Sequence, residues 1–336
     1  MTTIGPENFY GGGVPLGVLL AALLVDAVFA GIPGLRRVFA APEATLGAIV
    51  SWLDGRRDRR SAASRVARGL VAVLIVTVAA FAIGYVIAGL ALGWRHGWIA
   101  EIFVVASLLA QRSAFDGARS VARMLRSRGV EVGRATLAPS VSYDVSALDE
   151  NAVARGAIEG CAERFCDGVI APALWYILLG LPGICAYRAI SAASRRIGHA
   201  TPHYAAFGAA AAWLDRVVNI APAPVAGVIL ILAAAFVPGA NPLRALTTMV
   251  RDSRNRGAPG AGWTESAVAG ALGLSLAGPR RYRGEMVRGP WIGSGRARAT
   301  PADITRAVYL FAVACLLAIG IAAVLTLAAT GWQPLT

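Results

Sequence analysis

The sequence predicts an all-α, polytopic integral membrane helical bundle with amphipathic helices and long cytoplasmic loops. Three observations predict it. The 336 residues are 57% hydrophobic and only 15% charged, where a soluble globular domain carries about 25% charge. Mean hydropathy is +0.60. The missing charge is concentrated in long uncharged runs, which is how bilayer spans read.

Gly69–Gly93 is the clearest run, with 25 residues, no charge and 13 Leu, Ile, Val or Phe. At about −0.3 to −0.6 kcal/mol each, these side chains favour insertion by several kcal/mol. Val308–Thr330 is a second span, 23 residues without a charge. In Val14–Gly31, ten Leu, Val and Phe compete with Asp26. That acid would cost about 3 kcal/mol at mid-bilayer and less near the end of the run, where it lies. Met1–Gly13 holds no basic residue, so the run is expected to be a span and not a signal peptide. Segment 99–110 is short and carries Glu101, and 168–187 is broken by Pro172 and Pro182, so it either crosses or re-enters. Segment 220–237 has the length to cross, with Pro222 and Pro224 near its start. Short or proline-interrupted apolar segments often line a site. The reading is one membrane domain over 1–336, with polar regions at 111–167 and 239–307.

All 32 basic residues are Arg, and the formal net charge is +13. Arg36–Arg68 holds eight, Arg112–Arg134 six and Arg244–Arg306 eleven. The positive-inside rule puts these clusters on the cytoplasmic side of a multi-pass protein in the cell (inner) membrane. They fit contact with the lipid bilayer, and their forks also suit phosphate or carboxylate. With little aromatic interleaving, nucleic acid is not expected as a partner. Cys161, Cys166, Cys185 and Cys315 form no CxxC pair and read as small buried residues. No GxxxxGK loop or HExxH motif occurs, and Pro202 between His199 and His203 argues against a shared helical face.

Acidic residues gather at Asp144, Asp149, Glu150, Glu159, Glu163 and Asp167, 6 of the 19 acids. Asp149 is a helix start signal. Glu159, Glu163 and Asp167 follow at i, i+4 and i+8, one face of that helix. Three carboxylates at a membrane boundary can hold Mg²⁺ with bound phosphates or act as acid and base. They can equally form a solvated face paired with Arg155 and Arg164. The Gly-rich stretch Gly257–Gly262, with Gly278-Pro279 and Gly284 beyond, is either an anion-approaching backbone or an ordinary loop.

Several blocks, in order, carry a resemblance. They are Ala157-Ile158-Glu159 with Ala162-Glu163, Asp167-Gly168-Val169-Ile170-Ala171-Pro172, and Gly180-Leu181-Pro182-Gly183 with Ala186-Tyr187-Arg188. Ile197-Gly198-His199, Leu214-Asp215, Asn219, Ala261-Gly262-Trp263, Glu265, Gly278-Pro279 and Tyr282 follow. Together they resemble the CobD/CbiB family, the adenosylcobinamide-phosphate synthases of cobalamin biosynthesis, from about residue 19 to 310. The resemblance implies ATP-dependent amide formation between adenosylcobyric acid and aminopropanol or its phosphate, with Mg²⁺ and ATP. It implies corrinoid and amino-alcohol phosphate as substrates, and other cobalamin-pathway enzymes as neighbours. It assigns catalysis and metal to Glu159, Glu163 and Asp167. Substrate contact falls to Asp144, Tyr187, His199, Asp215, Asn219, Gly262, Glu265 and Tyr282. Asp215 and Glu265 are expected to share a cavity with the three carboxylates.

Some polar positions depart from the family pattern. Arg164 stands where Asn is usual, and Val141-Ser142-Tyr143-Asp144 replaces a Val-Gly/Ser-Arg-Asp block. Ser191–Arg196 and Ala258–Gly262 replace two further polar motifs. An active ligase and a non-catalytic relative that binds a corrinoid or a partner enzyme both fit this pattern. A transporter is the third reading, although the sequence shows no repeated half.

Overall fold

The computed structural model describes residues 14–31, 62–197, 208–254, 259–282, 285–287 and 289–331. They are almost wholly helical. In chain order the helices are α1 (Val14–Phe29), α2 (Ala62–Leu92), α3 (Gly97–Leu108), α4 (Gln111–Leu137), α5 (Glu150–Phe165) and α6 (Ala171–Ile197). Then come α7 (Ala209–Val218), α8 (Pro222–Ala234), α9 (Pro242–Asp252), α10 (Pro259–Leu272) and α11 (Pro301–Gly331). Four short strands lie between α10 and α11: β1 (Leu276–Ala277), β2 (Arg280–Tyr282), β3 (Glu285–Val287) and β4 (Trp291–Ile292). They make two antiparallel pairs, β1–β4 and β2–β3, with Tyr282 opposite Glu285.

Among the described residues four helical stretches are long and apolar enough to cross a membrane, five if α7 and α8 together make one span. The chain is a multi-pass membrane protein. Both clean runs are single helices that begin outside the apolar stretch, at Ala62 and at Pro301. The 220–237 segment is a helix only over Pro222–Ala234. At 1.5 Å per residue its 13 residues reach about 20 Å, short of the ~30 Å hydrocarbon core. The Arg36–Arg68 cluster lies largely outside the described residues.

The chain forms two compact units. The first comprises Met1–Ala110, Ala171–Val218 and Ala318–Thr336. Here α2 packs on α6, and α1 on α3. Inside α6, Gly180 takes φ +66° and Pro182 follows. Proline lacks an N–H and removes a helical hydrogen bond, and glycine tolerates the positive φ. The kinked backbone is met by Gly84 of α2. A Cβ on Gly84 would lie 2.8 Å from the Leu181 carbonyl oxygen and 2.8 Å from Pro182 Cα. Small residues permit such close helix approach in membranes.

Two acids of the apolar runs are buried in this unit. Asp26 lies in α1, and Glu101 of α3 accepts a hydrogen bond from the Tyr176 hydroxyl of α6 at 2.7 Å. Tyr176→Phe should therefore destabilise the protein by about 1–3 kcal/mol, because buried Glu101 loses that donor. Thermal unfolding in detergent measures it, and an unchanged midpoint would show the bond to be dispensable.

The second unit comprises Gln111–Ile170 and Asn219–Leu317. In it α4 packs on α5, α5 on α10, and α10 on α8 and α9. Its polar helix α4 breaks at Gly129, where φ is +80°. Residues Cys166–Ile170, after α5, form a π-helical turn.

Candidate functional site

The site in the second unit is built on α5. Asp149 caps this helix, its side chain accepting from the Ala152 N–H at 2.7 Å. That satisfies one of the four N–H groups a helix start leaves unpaired. Three turns on, Glu159 is buried, with 3% of its surface exposed. Its Oε1 accepts the Ala277 N–H at 2.7 Å, and Oε2 pairs with the Arg280 guanidinium. A carboxylate buried to this degree persists because a charge and a hydrogen-bond donor compensate its lost hydration.

Both partners belong to one tight turn. Ala277 has φ +61°, the left-handed region, and is the one non-glycine residue to do so among those described. This conformation costs a β-carbon residue about 1–2 kcal/mol. It persists where surroundings over-determine it, and here the Glu159 bond is one such constraint. Gly278 follows at φ +83°, and a Cβ there would lie 2.9 Å from the Trp291 ring.

The turn carries cations onto aromatic faces. The Arg280 Cζ stands 4.4 Å from the Tyr143 ring centre, and the Arg155 Cζ 5.4 Å from that of Trp291. Arg155 also donates to the Ala297 carbonyl at 2.6 Å. The Asp144 N–H donates to the Arg281 carbonyl at 2.8 Å. The Asp144 carboxyl accepts the Ser146 N–H at 2.9 Å, and hydrogen bonds from Ser146 hold it below the usual carboxylate range.

The other expected residues are distributed as follows. Asp167 is buried in the π-helical turn and Glu163 is half-buried on α5. Asn219 is buried, with its Oδ1 3.8 Å from the Cys166 thiol. Gly262 and the fully buried Glu265 lie on α10, which packs on α5. Tyr282 ends β2. Tyr187 and Asp215 belong to the first unit, where Tyr187 is buried on α6 and Asp215 accepts from the Ser194 hydroxyl at 3.2 Å. His199 lies outside the described residues.

The sequence expectation places Mg²⁺ on Glu159, Glu163 and Asp167. Among the described residues, no group of three or more His, Cys, Asp or Glu is arranged to hold a metal ion. The reason is visible at Glu159, whose two oxygens already serve Ala277 and Arg280. Sequence reasoning missed Arg280, Ala277 and Tyr143. Gly278-Pro279 was the available signal of an unusual turn, but nothing in it points to a carboxylate 118 residues earlier in the chain.

A second clamp fixes the far side of the strand region. Asp252 is buried at the end of α9. It accepts from the Arg251 Nε and Nη2, each at 2.7 Å, and from the Gly293 N–H at 2.8 Å. The Arg251 bond, helped by the Gly293 N–H, holds its carboxyl below the usual range despite burial. A depressed folded pKa adds stability that is present above the unfolded value, about 3.9, and is lost as pH falls through the folded value. Asp252→Asn should therefore lower stability at pH 7 by about 1–3 kcal/mol. It should also flatten the acid limb of a stability–pH profile below about pH 4. A variant with the wild-type acid limb would show that Asp252 contributes nothing to it.

Comparison with known proteins gives the family. The family model described as CobD/Cbib protein matches residues 19–311. The chain belongs to the CobD/CbiB family, the adenosylcobinamide-phosphate synthase family of cobalamin biosynthesis. It is 39% identical over 303 residues to the cobalamin biosynthesis protein CobD of Brucella anthropi, covering 89% of this chain and 93% of that one. It is 41% identical over 304 residues to the same-named protein of Sinorhizobium sp, covering 89% and 94%. To that of Rhodobacter capsulatus it is 34% identical over 311 residues, covering 92% and 97%. No solved structure matches.

Proposed function

We propose that this protein forms the amide between a propionate carboxylate of adenosylcobyric acid and aminopropanol or its phosphate, using ATP. The observation that carries the reading is the family match, which covers residues 19–311 and so includes both units. A carboxylate is a poor acyl donor. Transfer of the ATP γ-phosphoryl group to it would give an acyl phosphate and ADP. Attack by the amine would then release phosphate, with one proton leaving the nitrogen.

ATP and the corrinoid carboxylate are both anionic, and the second unit offers Arg155, Arg280 and Arg281 around one turn. Guanidinium forks suit phosphate and carboxylate. Glu163, half-buried on α5, is our candidate to accept the amine proton. Among the described residues no group of three or more carboxylates is arranged as a metal site. Mg²⁺ commonly enters such reactions on the phosphates of the nucleotide, with few protein ligands. In this reading the site faces the cytoplasm at the inner membrane, which the arginine-rich segments support.

Complementation tests it. A bacterial host lacking its own adenosylcobinamide-phosphate synthase should regain growth on cobyric acid when this chain is expressed. Wild-type expression in the membrane without growth would favour the reading of a corrinoid-binding, non-catalytic relative.

A further inference from the structure

Helix α9 has two faces with different fates. Ala245, Thr248, Met249 and Asp252 are buried against the unit. The fit is close: a Cβ on Gly270 of α10 would lie 2.7 Å from Ala245 Cα, and one on Gly227 of α8 2.5 Å from the Met249 sulfur. Leu243, Leu246 and Val250 point away and are 76%, 43% and 69% exposed. At about 100° per residue these three fall within an arc of about 60°. That arc borders the Met249 edge, the side on which α8 packs.

Helix α8 packs on α9 and is apolar on its exposed face as well. Its Val225, Val228 and Leu232 are exposed along one face, and Phe236 just beyond the helix is exposed too. The segment from Ile220 to Val237 contains no charge. Cations flank the α9 stripe. Arg244 in its first turn and Arg254 just past its last are exposed, while Arg251 is engaged by Asp252.

We propose that α8 and α9 form a membrane-docking surface of the second unit. In it α9 lies in the plane of the interface, Leu243, Leu246 and Val250 enter the acyl boundary, and Arg244 and Arg254 contact anionic lipid headgroups. Three observations select lipid as the occupant. The exposed large side chains are apolar on both of two helices that pack on each other, and clustered exposed apolar residues mark a docking or membrane surface. Helix α8 alone is too short to cross, and α9 follows it after a short connection over 235–241. The arginines flank the stripe, as in amphipathic helices that lie on anionic bilayers. The chain is itself multi-pass, so a bilayer is always at hand.

Spin-label accessibility on the full chain in nanodiscs tests this. In a Cys185→Ser background, Cys161, Cys166 and Cys315 are buried. Single cysteines replace Leu243, Leu246, Val250, Arg244 and, as an aqueous control, Glu131, whose side chain is 86% exposed. Labels at 243, 246 and 250 should favour oxygen over a water-soluble nickel chelate several-fold more than the labels at 244 and 131. Nickel access at all five positions would overturn the proposal by making the stripe a water-facing surface. Protection of the stripe from both reagents would overturn it in favour of a protein occupant, a second copy or another enzyme. Arg244→Gln with Arg254→Gln should lower retention of phosphatidylglycerol by roughly 25-fold, at about fivefold per arginine. Unchanged retention would overturn the headgroup contact.

Discussion

Glu159→Ala is expected to be the most damaging single substitution in the second unit. It leaves the Arg280 guanidinium, whose side chain is 12% exposed, without its counter-charge. It also leaves the Ala277 N–H without its acceptor at a residue already in a costly conformation. Breaking one side of a buried ion pair costs about 3–5 kcal/mol, a large part of a typical net stability of about 5–15 kcal/mol. Glu159→Gln keeps an acceptor for Ala277 and loses the charge, so it should fall between wild type and Glu159→Ala. Ala277→Gly, which removes the β-carbon strain, should recover about 1 kcal/mol in the Glu159→Ala background. Thermal unfolding of the four proteins in detergent gives the order. Equal midpoints for Glu159→Ala and wild type would mean that the carboxylate holds nothing.

Gly84→Leu should be comparably severe in the first unit. The new side chain starts against backbone atoms, the Leu181 carbonyl and Pro182 Cα, which cannot rotate away. Overpacking a close helix contact costs about 1–3 kcal/mol and more where only backbone can yield. Gly89→Leu is the matched control, five residues on in the same helix, since a Cβ there meets nothing within 4 Å. It should be nearly neutral. The pair separates a packing cost from any general effect of leucine in α2. Similar losses for both, read as the fraction surviving heating in detergent, would remove the close contact from the explanation.

The parts that were legible in the sequence are those set by local rules. Charge-free length gave α2 and α11, and Asp149 marked the start of α5. The ordered blocks from Ala157 to Tyr282 gave the family. What was not legible depends on contacts remote in sequence. Glu159 read as one member of a carboxylate face, yet its partners come from the turn between β1 and β2. The i, i+4, i+8 spacing assumed a regular helix through Asp167, and the π-helical turn from Cys166 ends that regularity. Glu101 looked like a flaw in a short apolar segment. Its reason is Tyr176, on a helix 75 residues further along the chain. The strand pairs of 276–292 were invisible because each strand is only two or three residues long and gives no alternation to read.

The reaction itself is the most direct test of the proposed activity. Purified protein in nanodiscs should be given ATP, Mg²⁺, adenosylcobyric acid and aminopropanol phosphate, and the corrinoid followed by mass spectrometry. Adenosylcobinamide phosphate is expected with one ADP formed per amide, strongly reduced when Glu163 is changed to Gln. Bound corrinoid that stays a free acid, from a well-folded protein, would contradict it.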